Sequence, residues 1–246
     1  MIEITIDGKR LSVEPGTTVL EAARSAGILI PTLCAHDGLQ PEGNCRLCSV
    51  EVTERGRTKL VMSCMYPVTK EGLEVQTDTK RVRDARRFVL QLLADRNPKA
   101  PALQPLFAEY GVNPKVPEGV EPELCIRCGR CVRACATNGT SALSFAGRGW
   151  EREVTTPFHE ASADCVGCLS CAEVCPTGRI TWEEKDGKRS IWGRTFDLVE
   201  CERCHDRYAT PEQLRLAGTD PETARLCPRC RKAAQQERVR LSNRGI

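Results

Sequence analysis

The sequence predicts an α+β protein of several small domains whose folding depends on bound metal. Three observations support this class: an alternating apolar pattern and a helix signal open the chain, sixteen cysteines fall into four groups of four, and aromatic residues make up only 4% of 246 residues. The cysteine groups span residues 34–64, 125–135, 165–175 and 201–230. Since few aromatic side chains are available for a core, metal ligation must supply much of the folding free energy of the cysteine-rich parts.

Residues 1–78 are predicted to form a β-grasp domain. Apolar residues alternate on both sides of Asp7-Gly8, the pattern of a β-hairpin with a two-residue turn. Thr18 precedes Glu21 by three positions, a capping box that starts a helix over residues 19–26. A cysteine-containing loop follows, and residues 49–52 predict a returning strand. Hairpin, helix, cysteine loop and strand is the order of a β-grasp ferredoxin.

The cysteines of this first domain are predicted to hold a [2Fe–2S] cluster. Their spacing, C-x10-C-x2-C-x15-C, shares its central C-x2-C and its distant fourth cysteine with the plant-type pattern. Gly38 and Gly43 give the long first spacer the freedom to wrap around a cluster. Zinc is the alternative occupant on spacing alone, and His36 is interpreted as a loop residue. The predicted ligands are Cys34, Cys45, Cys48 and Cys64.

Residues 79–122 are predicted to form one helix and a proline-rich linker. Over residues 79–95 the apolar positions Val82, Ala85 and Leu92 fall near one helix face, with Phe88 or Val89 beside them and arginines on the opposite face. Six prolines occur from residue 97 to residue 122. They predict a linker with one short helix over residues 102–110.

Two cysteine runs, residues 125–135 and 165–175, each read C-x2-C-x2-C-x3-C, and Pro176 follows the second. Such a duplicated run is the ligand set of a two-cluster ferredoxin, in which the fourth cysteine of each run ligates the other cluster. The predicted [4Fe–4S] sets are Cys125, Cys128, Cys131 and Cys175, and Cys135, Cys165, Cys168 and Cys171. Zinc knuckles or a disulfide scaffold are the alternatives. This ferredoxin-like domain is predicted to span residues 123–192. Its other predicted elements are short strands over residues 142–145 and 152–155, and a hairpin of residues 180–182 and 190–192 around Asp186-Gly187.

The last cysteines form two C-x2-C knuckles separated by 22 residues, which predicts a zinc-ribbon-like segment over residues 193–246. The predicted zinc ligands are Cys201, Cys204, Cys227 and Cys230. Another iron–sulphur cluster or a rubredoxin-type iron is the alternative, and His205 is surplus to a four-thiolate site. The spacer contains a helix-like stretch over residues 211–216, and a basic tail starts at Arg229. We expect this segment to dock against a neighbouring subunit.

Several functional classes find no support in the sequence. There is no glycine-rich phosphate loop and the three histidines lie far apart, so we expect no nucleotide site and no bond chemistry in this chain. Few aromatic residues argue against nucleic-acid binding, and a net charge of +3 says little about partners. The start of the chain lacks a signal-peptide pattern, and no stretch approaches the roughly 20 apolar residues of a membrane span. We therefore expect a cytoplasmic protein with reduced, metal-bound thiols.

The chain also resembles a known family. The stretches that carry the resemblance are residues 30–34 (IPTLC), 43–52 (GNCRLCSVEV), 63–64 (SC), 86–97 (RRFVLQLLADRN), the two cysteine runs and 145–150 (FAGRGW). They are similar to the N-terminal part of the large iron–sulphur subunit of respiratory NADH dehydrogenase (complex I). They are equally similar to the small diaphorase iron–sulphur subunit of NAD-reducing nickel–iron hydrogenases and related soluble formate dehydrogenases. The resemblance covers residues 1–190.

One motif of that family is missing. After the Arg96-Asn97 step the family usually has His-x-Cys-x2-Cys-x5-Cys, which holds an additional [4Fe–4S] cluster. Here no histidine or cysteine occurs between Met65 and Leu124, so the one-His, three-Cys cluster is expected to be lost. Electrons would then either cross directly between the remaining clusters or follow another route.

The resemblance implies a non-catalytic electron-transfer subunit of a soluble multi-subunit NAD(P)H-linked oxidoreductase. It would relay single electrons between a flavin subunit that binds NAD(P)H and a second redox subunit of hydrogenase, formate dehydrogenase or electron-bifurcating type. With the C-terminal knuckles added, the expected cofactors are one [2Fe–2S] cluster, two [4Fe–4S] clusters and one zinc ion. A stand-alone ferredoxin-like electron carrier is the alternative function, and a zinc-only interaction protein is a further one.

Overall fold

The computed structural model describes residues 1–116, 118–119, 121–222 and 224–242, with side chains up to residue 237. The chain forms two compact units. The first comprises Met1–Arg133, Gly147–Glu153 and Val174–Arg179, and the second comprises Ala134–Ala146, Val154–Glu173 and the chain from Ile180 onward. Each unit therefore combines parts of the chain that are far apart in sequence.

The first unit is built on one mixed β-sheet. Its elements, in chain order, are β1 (Ile2–Ile6), β2 (Lys9–Val13), α1 (Val19–Ser25), β3 (Ser49–Glu54), β4 (Arg57–Met62), β5 (Leu73–Gln76), α2 (Lys80–Arg96) and α3 (Gln104–Tyr110). The strand order is β2-β1-β5-β3-β4, and β1 pairs with β5 in parallel while the other pairs are antiparallel. The predicted hairpin, helix and returning strand are all present, and the α+β class is confirmed.

Helix α1 begins at the predicted capping box. The Glu21 backbone N–H donates to the Thr18 hydroxyl at 3.2 Å, and the Thr18 backbone N–H donates to the Glu21 carboxylate at 2.8 Å. These bonds satisfy two amide groups that have no partner within the helix. The helix then packs its buried residues against the sheet, and this apolar core includes Val19, Leu20, Ala22 and Ala23.

Helix α2 is present, but its buried face differs from the predicted one. The buried residues are Val82, Arg86, Leu90 and Ala94, whereas Phe88 and Leu92 remain 67% and 54% exposed. The prediction that the arginines lie on the exposed face is therefore wrong for Arg86, which is 3% exposed. An arginine can occupy this position because backbone carbonyl groups of the neighbouring loop accept its protons.

The proline-rich stretch after α2 contributes to a packed core. A 3-10 turn, Pro101–Leu103, leads directly into α3, which corresponds to the predicted short helix. Leu103, Phe107 and Tyr110 are buried in one cluster with Cys34 and Leu47 of the first cysteine loop. The stretch is thus more than a connection, because its apolar side chains help to enclose that loop.

The second unit consists of small sheets and short helices around its cysteines. Its elements are the end of α4 (Arg130–Thr137), β6 (Ser144–Ala146), β7 (Glu153–Thr155), α5 (Ser170–Glu173), β8 (Glu183–Lys185), β9 (Lys188–Ile191), β10 (Arg194–Asp197), β11 (Val199–Glu200), β12 (Arg207–Ala209), α6 (Pro211–Leu216) and α7 (Pro228–Ser242). Strands β8, β9 and β10 form an antiparallel meander, while β6 pairs with β7 and β11 with β12.

One local prediction needs adjustment here, and two local features were not predicted. The hairpin around Asp186-Gly187 is present, but its first strand is Glu183–Lys185 rather than residues 180–182. A third strand, β10, was not predicted. The basic tail is helical as far as Ser242, and its last residues, 243–246, lie outside the described part of the chain. Within the described residues, no helix has the length and apolar character needed to cross a membrane.

Candidate metal centres

The first cysteine set gathers beside the sheet of the first unit. Cys48 directly precedes β3, and Cys64 lies in the 3-10 turn Ser63–Met65 that follows β4. Their Sγ atoms are 3.3 Å apart, and the thiols of Cys34 and Cys45 are hydrogen-bonded to each other. Pairing of β3 with β4, Ser49 opposite Met62, explains why two cysteines sixteen positions apart meet.

The thiols of this set are strongly coupled. The hydrogen bond from the Cys34 side chain lowers the pKa of Cys45 to about 6, and the bond from the Cys64 side chain lowers the pKa of Cys48 to about 6. The same two bonds, followed by burial, raise the pKa of Cys34 and of Cys64. In each hydrogen-bonded pair one thiol is therefore the more acidic of the two, and metal binding requires deprotonated thiols.

Buried arginines hold the loop that carries these cysteines. Arg86 on α2 donates from Nε to the Leu47 carbonyl at 3.1 Å, from Nη2 to the Ser49 carbonyl at 2.8 Å and from Nη1 to the Tyr110 hydroxyl at 3.1 Å. The residues on both sides of Cys48 are therefore fixed by a single guanidinium group.

A second pair of arginines contacts the other end of the same loop. Arg133 on α4 donates to the carbonyls of Cys34 at 2.5 Å and Gln40 at 2.6 Å, and Arg130 donates to the Ala35 carbonyl at 2.6 Å. Arg133 is 7% exposed. Sequence reasoning did not identify these supporting arginines, because nothing in the local pattern separates them from surface arginines.

The second set, Cys125, Cys128, Cys131 and Cys175, lies entirely in the first unit. Burial raises the pKa of Cys128, and the neighbouring charges of Cys175 and Cys125 contribute to the rise, which places Cys175 beside the run although it is 47 positions from Cys128. Asn97, fully buried, donates from Nδ2 to the Cys125 carbonyl at 3.1 Å and to the Glu123 carbonyl at 2.7 Å. This set therefore brings together residues from three parts of the chain: Asn97, the run from Glu123 to Cys131, and Cys175.

The third set, Cys135, Cys165, Cys168 and Cys171, lines one cavity of the second unit. Polar side chains contact three of its sulphur atoms. The Thr140 hydroxyl lies 3.0 Å from Cys135 Sγ, Asn138 Nδ2 lies 3.5 Å from Cys168 Sγ, and Trp192 Nε1 lies 3.5 Å from Cys171 Sγ. Burial, only partly offset by the Trp192 hydrogen bond, raises the pKa of Cys171 to about 11.

The backbone carbonyls of the 165–168 loop accept hydrogen bonds from later parts of the chain. Arg194 donates to the Cys165 carbonyl at 2.6 Å, Thr210 to the Val166 carbonyl at 2.6 Å, and Arg189 to the Gly167 carbonyl at 2.7 Å. Carbonyls that turn away from a metal site need such donors when they are buried. The meander and α6 therefore form the outer support of the third set.

The fourth set brings its four sulphur atoms close together. One Sγ atom from each of Cys201, Cys204, Cys227 and Cys230 lies within 4.8 Å of the others. The Cys227 backbone N–H donates to Cys201 Sγ at 3.3 Å, and this bond is the main reason why the pKa of Cys201 is lowered to about 6. His205 Nδ1 lies 3.0 Å from a carboxylate oxygen of Glu200.

The donor chemistry of all four sets fits the expected metals. The sixteen cysteines all lie in the described part of the chain and form no disulfide, and each predicted set is contained in one unit. Thiolates are the ligands that iron–sulphur clusters and structural zinc prefer. The third set closes on a cavity with apolar walls, as a cluster requires, and the fourth approaches the compact spacing of a tetrahedral ion. The other two histidines have hydrogen-bond partners outside the cysteine sets: His36 Nδ1 accepts from the Gly38 backbone N–H, and His159 Nδ1 lies beside the Thr155 hydroxyl.

Comparisons with known proteins agree with this arrangement. Residues 1–80 match the 2Fe-2S iron-sulfur cluster binding domain, and residues 119–182 match the 4Fe-4S dicluster domain. A chain in a crystal structure of NAD+-reducing [NiFe]-hydrogenase in the H2-reduced state superposes with a TM-score of 0.60 at 31% identity, covering 72% of this chain and 86% of that chain. The chain belongs to the iron–sulphur subunit family of NADH dehydrogenases and NAD(P)-linked hydrogenases.

Curated members of this family extend beyond the length of the present chain. The NADP-reducing hydrogenase subunit HndD of Solidesulfovibrio fructosivorans is 37% identical over 90% of this chain, but the match covers 40% of HndD. The mitochondrial NADH-ubiquinone oxidoreductase 78 kDa subunit of Candida albicans is 28% identical over 96% of this chain, and the match covers 35% of that subunit. The chain thus spans less than half the length of these relatives. The two family domains together end at residue 182, so most of the outer support of the third set lies beyond them.

Proposed function

We propose that the chain is a non-catalytic electron-transfer subunit of a multi-subunit NAD(P)H-linked oxidoreductase. It would relay single electrons between a flavin subunit that binds NAD(P)H and a second redox subunit of hydrogenase, formate dehydrogenase or electron-bifurcating type. The observation that carries the proposal is the grouping of cysteines from distant parts of the chain into separate four-thiol sets. The names of its relatives as hydrogenase and NADH-oxidoreductase subunits support the assignment to such complexes.

The cysteine sets define which residues would hold each group. Cys34, Cys45, Cys48 and Cys64 would hold a [2Fe–2S] cluster. Cys125, Cys128, Cys131 and Cys175 would hold one [4Fe–4S] cluster, and Cys135, Cys165, Cys168 and Cys171 the other. Cys201, Cys204, Cys227 and Cys230 would hold zinc. A bound iron–sulphur cluster supplies reversible one-electron oxidation and reduction.

The side chains around these cysteines would perform three tasks. The apolar core that includes Leu47, Leu103 and Phe107 would keep water from the first set. Arg86 and Arg133 would fix the ends of its loop by hydrogen bonds to backbone carbonyls, leaving the sulphur atoms free to ligate. The zinc-ribbon-like segment would support the 165–168 loop through Thr210, which follows β12 directly. Potentials depend on such burial and hydrogen bonding.

The proposed domains follow the cysteine sets. Residues 1–78 would be a β-grasp [2Fe–2S] domain, 79–122 a helical and proline-rich connection that lacks the one-His, three-Cys cluster, 123–192 the two-cluster domain, and 193–246 the zinc-ribbon-like segment. We propose that the protein works in the cytoplasm, where thiols stay reduced for cluster assembly.

Metal analysis of the purified chain tests the ligand assignment. We expect about ten iron atoms and about one zinc ion per chain, with acid-labile sulphide accompanying the iron. Cys64→Ser should lose about two irons and Cys168→Ser about four. His36→Ala is the matched control and should lose none. A colourless preparation that contains zinc but no iron would overturn the electron-transfer assignment.

Native purification tests the assignment to a complex. The chain should co-elute with a flavin-containing, NAD(P)H-oxidising subunit on a sizing column. A lone 27.2 kDa species that is fully loaded with iron would instead favour the stand-alone carrier. The two experiments answer separate questions, because the first measures cluster content and the second measures association.

A further inference from the structure

We propose that Trp192 sets the reduction potential of the [4Fe–4S] cluster held by the third cysteine set, through a hydrogen bond from its indole N–H to Cys171. The inference rests on the proposed function, since it assumes that this set holds a cluster. It assigns a positioning and tuning role to a residue outside the cysteine motifs and outside both matched family domains, which end at residue 182.

The direction of the hydrogen bond is fixed by chemistry. Trp192 Nε1 lies 3.5 Å from Cys171 Sγ, and an indole nitrogen can only donate. A cysteine that ligates iron is a thiolate and can only accept. With metal bound, the contact is therefore a hydrogen bond from the indole N–H of Trp192 to the thiolate of Cys171. Trp192 and Cys171 also line the same cavity together with Cys135, Cys165 and Cys168, so the indole lies at the cluster site itself.

The backbone conformation of Trp192 is unusual for so large a residue. Trp192 and Gly193 form the two-residue turn between β9 and β10, with φ values of +51° and +75°. Both values belong to the left-handed region that a type I′ turn requires, where asparagine, aspartate and glycine are preferred. The preceding turn of the same meander follows that preference with Asp186-Gly187, at +51° and +78°.

A bulky residue in this conformation points to a role for its side chain. Left-handed strain in a non-glycine residue persists only where the surroundings hold it, and it is concentrated at functional sites. Here the turn is held on both sides. Ile191 before it is 4% exposed, and Arg194 after it donates to the carbonyls of Ser162, Ala163 and Cys165. The meander therefore presents the indole to Cys171 from a fixed position.

The sign of the effect follows from electrostatics. Reduction adds one negative charge to the cluster and its thiolates, and the positive end of the N–H dipole stabilises the more negative state. Removing the N–H should make reduction less favourable. The expected change is about a tenfold fall in the one-electron reduction equilibrium constant, which lowers the potential by about 59 mV.

Redox titration followed by electron paramagnetic resonance tests the proposal on the full-length, cluster-loaded protein. Trp192→Phe keeps an aromatic ring and removes the donor. Trp192→Leu also removes the donor and, like phenylalanine, brings no side-chain N–H group of its own to Cys171. Trp182→Phe is the matched control, because Trp182 lies in the same unit and is 44% exposed. Thr177→Val identifies the other [4Fe–4S] signal, because the Thr177 hydroxyl lies 3.6 Å from Cys175 Sγ.

We expect both Trp192 variants to lower the midpoint potential of one [4Fe–4S] signal. That signal should differ from the one that Thr177→Val shifts, and Trp182→Phe should shift neither. Iron content should stay at the wild-type value in both Trp192 variants, since neither removes a thiolate ligand. Unchanged midpoints in the Trp192 variants, with iron content retained, would overturn the inference and leave the proposed function standing. Loss of iron in Trp192→Phe combined with an unchanged midpoint in Trp192→Leu, or loss of iron in both variants, would also overturn it, by reducing Trp192 to a packing role. Absence of the cluster from the wild-type protein would instead refute the proposed function.

Discussion

Replacing Arg86 by methionine tests whether a buried guanidinium group stabilises the first cysteine loop. Methionine keeps much of the side-chain length but leaves the carbonyls of Leu47 and Ser49 without their donor. Three hydrogen bonds from a charged group are lost, whereas the cost of burying the charge is relieved. Losing one such hydrogen bond typically lowers the free energy of unfolding by about 1 kcal/mol, and by more where the remaining partner stays buried and unsatisfied. For three bonds, the expected destabilisation of the protein is about 3 kcal/mol.

Release of iron from the first set is the measurable consequence. If the loop must open before iron leaves, about 3 kcal/mol corresponds to roughly a 100-fold faster loss of [2Fe–2S] absorbance under mild denaturant or chelator. The rate is the proper quantity because loss of a cluster makes unfolding irreversible. Arg87→Met is the matched control, an exposed neighbour on the same helix for which we expect less than about 0.5 kcal/mol. Equal rates in Arg86→Met and Arg87→Met would refute the argument that Arg86 holds the loop.

Three further predictions concern separate parts of the chain. Cys230→Ser should abolish stoichiometric zinc binding, because a tetrahedral site then loses one of its four thiolates. His205→Ala should retain zinc. Metal analysis of both proteins therefore distinguishes a four-thiolate site from one that uses the histidine. Thr210→Val removes the donor to the Val166 carbonyl and should destabilise the 165–168 loop by about 1–3 kcal/mol. We expect one [4Fe–4S] signal to be lost faster while the [2Fe–2S] signal is unchanged. An equal effect from the exposed control Thr195→Val would contradict this prediction. Thr18→Ala removes the N-cap of α1 and should cost about 1 kcal/mol in a thermal unfolding experiment, with no change in iron content; loss of [2Fe–2S] iron would show that the helix cap also controls the cluster site.

The local elements could be predicted from sequence because their signals are local. Asp7-Gly8 specifies a two-residue turn, and Thr18 with Glu21 specifies a helix start, whatever the rest of the chain does. Cysteine spacing is equally local and led to four sets, whose members the structure describes as grouped within single units. The meander of β8, β9 and β10 shows that such local signals do not fix the bounds of a strand. Its first strand was predicted over residues 180–182, but the register set by Asp186-Gly187 pairs Lys185 with Lys188 and places β8 over Glu183–Lys185.

The supporting residues could not be predicted because their partners are distant in sequence. Arg86 reads as a surface arginine in any amphipathic pattern, since charged side chains are rarely buried without a partner. Its acceptors, Leu47 and Ser49, lie 39 and 37 positions away. Arg189 and Thr210 present the same difficulty, with acceptors 22 and 44 positions away. Burial of a polar side chain is decided by which carbonyls the fold brings to it, and that information is absent from any short stretch.

The stretch after α2 shows how apolar packing can hold a short segment that has no metal ligands. It has no cysteine or histidine, yet Leu103 is fully buried and Phe107 is 5% exposed, both in the core that encloses Cys34 and Leu47. Burying a large apolar side chain contributes about 1.5–3 kcal/mol, so two or three of them can fix a short segment without metal. The fully buried Asn97, hydrogen-bonded to the carbonyls of Glu123 and Cys125, joins this segment to the start of the second cysteine set. The prolines that predicted a linker are compatible with this packing, because Pro101 and Pro105 occupy the first turns of helical segments, where a missing N–H costs nothing.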